Sequence, residues 1–225
     1  CIYGCPHGAK WTARMYAEEA VASGATLLNA ARVTRVLVEN GKASGVEFRA
    51  GGRLRKALAP QVVLSAGGIG SPVILRASGI GAAGQDFFFD PLIGVFGTAE
   101  GIEGGREFPM TAGCHFEEEG YILSDYNLPA PLYMAFAGEV LRFDRLFSHS
   151  RTLQIMIKAR DPLGGRLTDG GAVRKRLTAD DKRRLLHGCE RAKGILKHAG
   201  AKNIFRTWYI AAHPGGTAKI GDLVD

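Results

Sequence analysis

The chain has 225 residues, of which 46% are hydrophobic and 23% are charged. This composition is that of an ordinary globular protein, and it excludes a chain that is disordered throughout. The sequence contains no run of about 18 apolar residues that would span a membrane, and its start does not resemble a signal peptide. We therefore expect a soluble protein, with the cytoplasm favoured as its compartment.

The formal net charge of +7 is partly concentrated in one region of the chain. Basic triplets occur at 174–176 and 182–184, with Asp180 and Asp181 between them and no interleaved aromatic residues. A surface that binds nucleic acid needs a more sustained basic face, so we expect no nucleic-acid partner. The pattern favours the solvated face of a helix, and a site for an anionic partner is the alternative.

The spacing of cysteine and histidine gives little support for a metal centre. Three residues separate Cys1 from Cys5, whereas the usual zinc-binding motif has two residues between its cysteines. His7 would complete a cramped site on one turn. Cys114 and Cys189 have no comparable neighbours. We predict no metal, while a Cys1–Cys5 disulfide, free thiols and a metal site on the first turn stay open as hypotheses.

The first part of the chain predicts one helix followed by strands that turn back on one another. A stripe that includes Trp11 and Met15 indicates a helix, which Gly24 ends. Asn40-Gly41 lies between two alternating stretches and is a strong hairpin signal. The predicted elements are a helix at 11–23 and strands at 25–29, 32–39, 43–48 and 54–59.

The next segment predicts a strand, a glycine turn and a helix. Residues 61–65 are a short apolar run typical of a buried strand, and Ser71 and Pro72 suit the cap and first turn of the helix that follows. Glycines between such elements allow a close approach to a ligand, and a helix N-terminus favours a phosphate. Tight packing without a ligand explains the same glycines, and no Gly-x-Gly-x-x-Gly fingerprint is present.

From residue 85 onward the sequence indicates antiparallel strands and one long helix. Residues 151–158 alternate as a strand, Thr178 caps a helix that runs to about His198, and 202–211 is extended. The fold class is therefore α/β near the start and α+β after residue 85. Aromatic side chains in this part form either plain core or the wall of an apolar pocket: Phe87, Phe88, Phe89, Tyr121, Tyr126, Tyr133 and Phe136.

The segment GGIGSPVILRASGIG at 67–81 resembles the second signature of the glucose–methanol–choline (GMC) family of FAD-dependent oxidoreductases. It departs from that signature at Gly68, where a small side chain is usual. Three further stretches resemble the family in the same order, namely GCPHGAK at 4–10, the strand pair within 24–46, and HPGGT at 213–217.

The resemblance implies part of an FAD-binding domain at 1–84 and a substrate-binding domain at 85–210, built on an antiparallel sheet flanked by helices. A return segment to the FAD domain follows at 211–225. In the family pattern Val33 meets the adenine through its backbone, although Val33, like Val36, is equally well explained as a plain strand residue. The cofactor-binding residues that the resemblance implies are Val33, Ser65, Ala66, Gly67 and Pro214.

His213 is the catalytic residue that the resemblance implies. Oxidation of an alcohol requires removal of the hydroxyl proton as hydride leaves carbon for the flavin, and histidine is suited to accept a proton near neutral pH. Pro214 stiffens the backbone beside it, and Gly215-Gly216 allow close approach to a ring. Taken alone, a histidine in this context is commonly an ordinary loop residue. The other histidines are interpreted as surface or packing residues: His7, His115, His149, His187 and His198.

The main hypothesis is FAD-dependent oxidation of a small-molecule alcohol or sugar, with oxygen, a quinone or a redox protein as electron acceptor. The alternative is a non-catalytic α/β module that binds a nucleotide or another anion. The family's dinucleotide motif would precede Cys1, and its second active-site His or Asn would follow Asp225. We therefore expect an internal part of a longer enzyme that alone binds FAD poorly and is inactive.

Overall fold

The structure is a computed structural model that describes residues 9–105 and 107–223. These ranges contain helices and antiparallel strands in alternation, which confirms the mixed α and β fold class. The helices are α1 (Ala13–Ala22), α2 (Gly67–Ala77), α3 (Ala130–Glu139) and α4 (Ala179–His198). The strands are β1 (Arg32–Glu39), β2 (Lys42–Ala50), β3 (Arg53–Leu58), β4 (Pro91–Thr98), β5 (Gly113–Phe116), β6 (Tyr121–Asp125), β7 (Thr152–Ala159), β8 (Arg166–Leu167), β9 (Val173–Arg174), β10 (Lys202–Arg206) and β11 (Ile210–Ala211).

The chain divides into two compact units. The six-stranded unit comprises Phe89–Pro162 and Leu177–His213, and the α2 unit comprises Trp11–Phe88, Leu163–Arg176 and the residues from Pro214 onward. The chain therefore passes from the first unit to the second at the peptide bond after His213. The short β8–β9 hairpin belongs to the α2 unit, although it lies within the predicted substrate domain in sequence. The predicted domain boundaries themselves stay a prediction.

The six-stranded unit is an antiparallel sheet with its main core on one face. Its strand order is β10-β4-β7-β6-β5, and β11 pairs with β4 next to β10. Alternate residues of a strand point to opposite faces, so Ile157 of β7 and Ile93 of β4 share the face that α4 covers. Leu185 and Cys189 of α4 complete this buried cluster. The predicted strands at 151–158 and 202–211 are thus confirmed.

Helix α4 begins where the sequence predicts. The Thr178 hydroxyl accepts a hydrogen bond from the Asp181 amide at 3.1 Å, and the Asp181 carboxylate accepts one from the Thr178 amide at 2.7 Å. This reciprocal capping box satisfies two amides that have no partner within the helix. Gly200, with a φ of +78°, follows the end of the helix.

The α2 unit contains the three-stranded meander β1-β2-β3, packed against α2. Asn40 and Gly41 join β1 and β2 with φ angles of +51° and +74°, the left-handed conformation that this tight hairpin requires. At the far end of α2, the Ser78 hydroxyl accepts a hydrogen bond from the Val36 amide of β1 at 2.8 Å. The predicted hairpin and the predicted helix at 11–23 are both confirmed.

Two predicted strands are wrong. Residues 25–29 and 61–65 lie outside every strand that the structure describes, and Leu27, Leu28 and Val63 are exposed. Both segments are apolar enough for a strand, but a strand also needs a neighbour that satisfies its backbone groups. Within residues 9–105 and 107–223, no strand pairs with either segment.

Candidate functional site

His213 lies two residues after β11, and its side chain is 63% exposed. Its Nδ1 is 3.0 Å from Oδ2 of Asp90, the residue that precedes β4. The same carboxylate oxygen is 2.5 Å from Nζ of Lys158 on β7. Nε2 of His213 makes no hydrogen bond to any residue that the structure describes, so this nitrogen is the one open to a ligand.

Sequence reasoning singled out His213 but missed the carboxylate beside it. Asp90 precedes His213 by 123 positions and belongs to no recognisable motif. The two residues meet because β11 pairs with the start of β4, where Ala211 lies opposite Pro91. The signal that could have found Asp90 is this long-range strand pairing, which local sequence patterns do not reveal.

The segment after His213 is fastened to the start of α2. The Thr217 hydroxyl donates to the Gly68 carbonyl oxygen at 2.7 Å, and the Thr217 carbonyl oxygen accepts from the Gly84 amide at 2.9 Å. A Cβ on Gly68 would lie 2.5 Å from the Pro214 carbonyl oxygen. Glycine at position 68, where the sequence departs from the family signature, therefore leaves room for the main chain that follows His213.

The two glycines after Pro214 accommodate a protein ring. A Cβ on Gly215 would lie 2.5 Å from Cζ of Phe88, and a Cβ on Gly216 would lie 2.3 Å from the Asp86 carbonyl oxygen. Gly215 and Phe88 also exchange backbone hydrogen bonds at 3.1 Å in both directions. The sequence interpretation attributed these glycines to the approach of a ring, and the ring that the structure places there is Phe88.

The start of α2 differs from its predicted form. The helix begins at Gly67, so Pro72 lies inside it, and the prediction that Ser71 and Pro72 begin the helix is wrong. The Ser71 hydroxyl still serves the helix start, because it accepts a hydrogen bond from the Ala66 amide at 3.0 Å. The first four backbone amides of a helix have no carbonyl partner within it, so they are free to contact another group.

The predicted cofactor residues of this segment are accessible. Ser65, Ala66 and Gly67 are exposed, and a Cβ on Gly67 would meet nothing within 4 Å. Backbone amides at a helix N-terminus attract phosphate, and small side chains leave room for it. The residues present therefore fit the phosphate-bearing part of a dinucleotide such as FAD.

Val33 and Val36, which the sequence explains equally well as plain strand residues, differ in their main-chain partners. Val36 donates its amide to Ser78, so its main chain already has a protein partner. Val33 lies on β1 opposite Phe48 of β2, and β1 is an edge strand of the meander. An edge strand has one side free of strand pairing, and Val33 is thus the better candidate for a main-chain contact with a base.

A basic cleft of about 990 Å³ lies in the α2 unit, beside the β8–β9 hairpin. Arg76 of α2 is anchored in its wall, because its guanidinium donates to the Leu167 carbonyl oxygen at 3.0 Å and pairs with Asp169. Among the lining residues in the described part of the chain, Asp169 is the one carboxylate. The cationic side chains that line the cleft are Arg76, Arg166, Arg174, Lys175 and Arg176.

The second basic triplet has a different environment. Lys182, Arg183 and Arg184 lie in the first turns of α4, where Arg183 and Arg184 both pair with Asp180. Lys182 and Arg183 are exposed, as expected of a solvated helix face, whereas Arg184 is partly buried and donates to the Arg160 carbonyl oxygen at 3.3 Å. The anion-binding alternative therefore rests on 174–176 and not on 182–184.

The aromatic residues divide between core and cavity. Phe87, Tyr121 and Tyr133 are buried, with exposures of 2% or less. Tyr126 lines a cavity of about 380 Å³ in the six-stranded unit, and burial raises the pKa of its hydroxyl. The plain-core interpretation therefore accounts for Phe87, Tyr121 and Tyr133, and Tyr126 is the residue to which the pocket interpretation applies.

The structure adds nothing to the metal hypothesis. Among residues 9–105 and 107–223, no three His, Cys, Asp or Glu side chains cluster as metal ligands do. Cys1, Cys5 and His7, on which the hypothesis rests, lie outside the described residues, as does most of the 4–10 motif. In the part of the chain that is described, no helix combines the length and the apolar character of a membrane span.

Comparisons with known proteins agree with the signature carried by α2. The family profile described as GMC oxidoreductase matches residues 1–96. An uncharacterized GMC-type oxidoreductase of Mycobacterium tuberculosis is 31% identical over 157 residues, which cover 64% of this chain and 25% of that protein. The oxygen-dependent choline dehydrogenase of Staphylococcus saprophyticus is 25% identical over 215 residues, which cover 73% of this chain and 38% of that protein.

The solved structure of pyridoxine 4-oxidase from Mesorbium loti has a similar fold. It superposes with a TM-score of 0.62 at 18% identity and covers 89% of this chain and 50% of its own. The chain therefore spans between a quarter and a half of the length of these proteins. The signature on α2, the family profile over residues 1–96 and the fold all point to the same relatives, and the chain is similar to GMC oxidoreductases.

Proposed function

We propose that the full-length protein oxidises an alcohol with FAD as cofactor and with His213 as the base that removes the hydroxyl proton. The observation that carries the proposal is the environment of His213. Its Nδ1 is engaged by Asp90, while Nε2 is open and most of the ring is exposed. A ring held by one nitrogen and free at the other is the arrangement that a general base requires.

The residues proposed to hold FAD lie in the α2 unit. Ser65, Ala66 and Gly67 would face its adenosine and phosphate end, Val33 would contact the adenine through its main chain, and Pro214 would fix the backbone beside the base. The exposed, glycine-rich start of α2 supports this assignment. When bound, FAD accepts the hydride that leaves the substrate carbon.

Residues of this chain would accept the proton of the substrate hydroxyl. Nε2 of His213 accepts the proton of the substrate hydroxyl as the carbon loses hydride, so that the alcohol becomes a carbonyl compound and the ring becomes an imidazolium. Asp90 retains the proton on Nδ1 throughout this step. The His213 amide donates to the Phe89 carbonyl oxygen at 3.4 Å, and this bond limits the movement of the histidine backbone, as an oriented base needs.

The proposed substrate is a small alcohol or a sugar, and the proposed electron acceptor is oxygen, a quinone or a redox protein. The names of two similar proteins support an alcohol or a related donor, since one is a choline dehydrogenase and the other a pyridoxine 4-oxidase. A panel of primary alcohols, secondary alcohols and sugars, each assayed with oxygen and with a quinone, separates these cases.

Replacement of His213 tests the proposed role. In the full-length protein, His213→Ala should lower kcat by about 100-fold or more, because general-base catalysis typically contributes that much. Its FAD content, measured by absorbance after purification, should stay stoichiometric. His115→Ala is a matched control, since that histidine is exposed and pairs only with Glu117 at 3.6 Å among the described residues. Unchanged turnover in His213→Ala would refute the proposal.

A second candidate function is supported by the basic cleft. We propose that the cleft binds a small anion that carries phosphate or carboxylate groups, because the described residues that line it include five cationic side chains and a single carboxylate. Its volume of about 990 Å³ is at the upper end of the usual range for ligand pockets. This function is compatible with the oxidoreductase and requires no catalysis.

Calorimetric titration of the full-length protein with pyrophosphate tests the anion site. The double variant Arg174→Glu/Arg176→Glu should bind pyrophosphate about tenfold more weakly or worse, because each charge-assisted contact contributes about 1.5–3 kcal/mol. Arg183→Glu is the control, since Arg183 lies on α4 and pairs with Asp180. Equal affinity in the double variant and the control would contradict the site.

A further inference from the structure

Three charged or ionisable side chains meet at one carboxylate oxygen of the six-stranded unit. Oδ2 of Asp90 accepts from Nδ1 of His213 at 3.0 Å and from Nζ of Lys158 at 2.5 Å. The side chains of Asp90 and Lys158 are mostly buried, with exposures of 23% and 20%, whereas that of His213 is 63% exposed. The Asp90 carboxylate and the Lys158 ammonium thus form a largely buried ion pair next to the accessible ring of His213.

The backbone of Asp90 is held in an uncommon conformation. Its φ is +58°, in the left-handed region that non-glycine residues rarely occupy. The carboxylate of Asp161, which is 9% exposed, accepts from the Asp90 amide at 2.9 Å and from the Phe89 amide at 3.4 Å. The Phe89 carbonyl oxygen in turn accepts from the His213 amide at 3.4 Å. Asp90 and His213 are therefore fixed to each other through main chain as well as side chain.

We infer that Asp90 is a positioning residue for His213, and that the ion pair with Lys158 holds the Asp90 carboxylate in place. The inference rests on the proposed function of His213 as base. Asp90 acts by holding the proton on Nδ1, so that the lone pair of the ring lies on Nε2 and points away from the carboxylate. It touches neither substrate nor cofactor in this role.

The contribution of Lys158 follows from charge balance. The Lys158 ammonium already compensates the Asp90 charge, because the two groups are 2.5 Å apart in a largely buried position. Lys158 thereby holds in place the Asp90 carboxylate that contacts Nδ1 of His213.

The tautomer of His213 tests the inference directly and without turnover. In the full-length protein labelled with ¹⁵N-histidine, the His213 resonances, identified by their loss in His213→Gln, should show a proton on Nδ1. In Asp90→Ala the Nε2-protonated tautomer should become the major one. In the same variant, kcat should fall by about 100-fold with KM within about twofold, because the base is disoriented while binding is retained.

Three further variants keep the test decisive. Asp90→Asn tolerates the left-handed backbone and keeps an acceptor oxygen, so it should fold normally and restore part of both the tautomer and kcat. Asp144→Ala is the control, because Asp144 pairs with Arg142 and Arg145 rather than with a histidine. A folded Asp90→Ala protein with the tautomer ratio and kcat of the parent overturns the inference. If Asp90→Ala does not fold, the same result in Asp90→Gly, which tolerates the left-handed backbone and has no acceptor, overturns it. Loss of turnover in His213→Ala alongside such a result would leave the proposed function intact.

Discussion

At Gly68, the second residue of α2, the structure leaves no room for a side chain. A Cβ there would lie 2.5 Å from the carbonyl oxygen and 2.9 Å from the carbonyl carbon of Pro214. From the sequence, Gly68 is only a departure from a family signature, because the residue it meets is far away along the chain. His213 and the presence of helix α2 were predictable from the sequence, but this fit between the two segments was not.

Substitution of Gly68 should loosen the segment that follows His213. We expect Gly68→Ala to destabilise the protein by about 1–3 kcal/mol, because the new methyl group must displace main chain rather than a flexible side chain. Gly194→Ala on α4 is the matched control, since a Cβ there meets nothing within 4 Å and alanine favours the helix by up to about 1 kcal/mol. Thermal unfolding of both variants should therefore show shifts of opposite sign, and an unchanged melting temperature in Gly68→Ala would contradict the contact.

Elements whose signals are local were predictable, and elements that depend on a partner were not. The β1–β2 hairpin follows from Asn40-Gly41, and α4 follows from Thr178 and a helical period of apolar residues. The segments 25–29 and 61–65 have strand-like composition but lack a neighbouring strand among the described residues. The early start of α2 was missed because Pro72 usually marks a first turn, whereas here it lies inside the helix.

The capping box of α4 should contribute measurably to stability. We expect Thr178→Ala to destabilise the protein by about 1 kcal/mol, because the Asp181 amide loses its acceptor and Asp181, which is 1% exposed, loses part of its fixed geometry. Thr178→Ser retains the hydroxyl and should unfold at nearly the parental temperature. A melting temperature of Thr178→Ala equal to that of Thr178→Ser would show that the hydroxyl contributes nothing.

At the scale of the whole molecule, long-range pairing creates the candidate site. Pairing of β11 with β4, and of β4 with β7, places His213 and Lys158 beside the same carboxylate oxygen of Asp90. The sequence identified the histidine through a motif and α2 through a signature, and both patterns resemble those of the GMC family. It gave no indication of Asp90 or Lys158, because neither lies in a motif and each is brought in by a different strand of the sheet.

The most direct test of the account is a single-turnover measurement of the chemical step. The full-length protein with bound FAD is mixed with an alcohol substrate in the absence of oxygen, and loss of the oxidised flavin absorbance is followed over time. Flavin reduction at saturating substrate should be about 100-fold or more slower in His213→Gln than in the parent, because the hydroxyl proton loses its acceptor. Reduction of the two proteins at the same rate would contradict the assignment of His213 as the base.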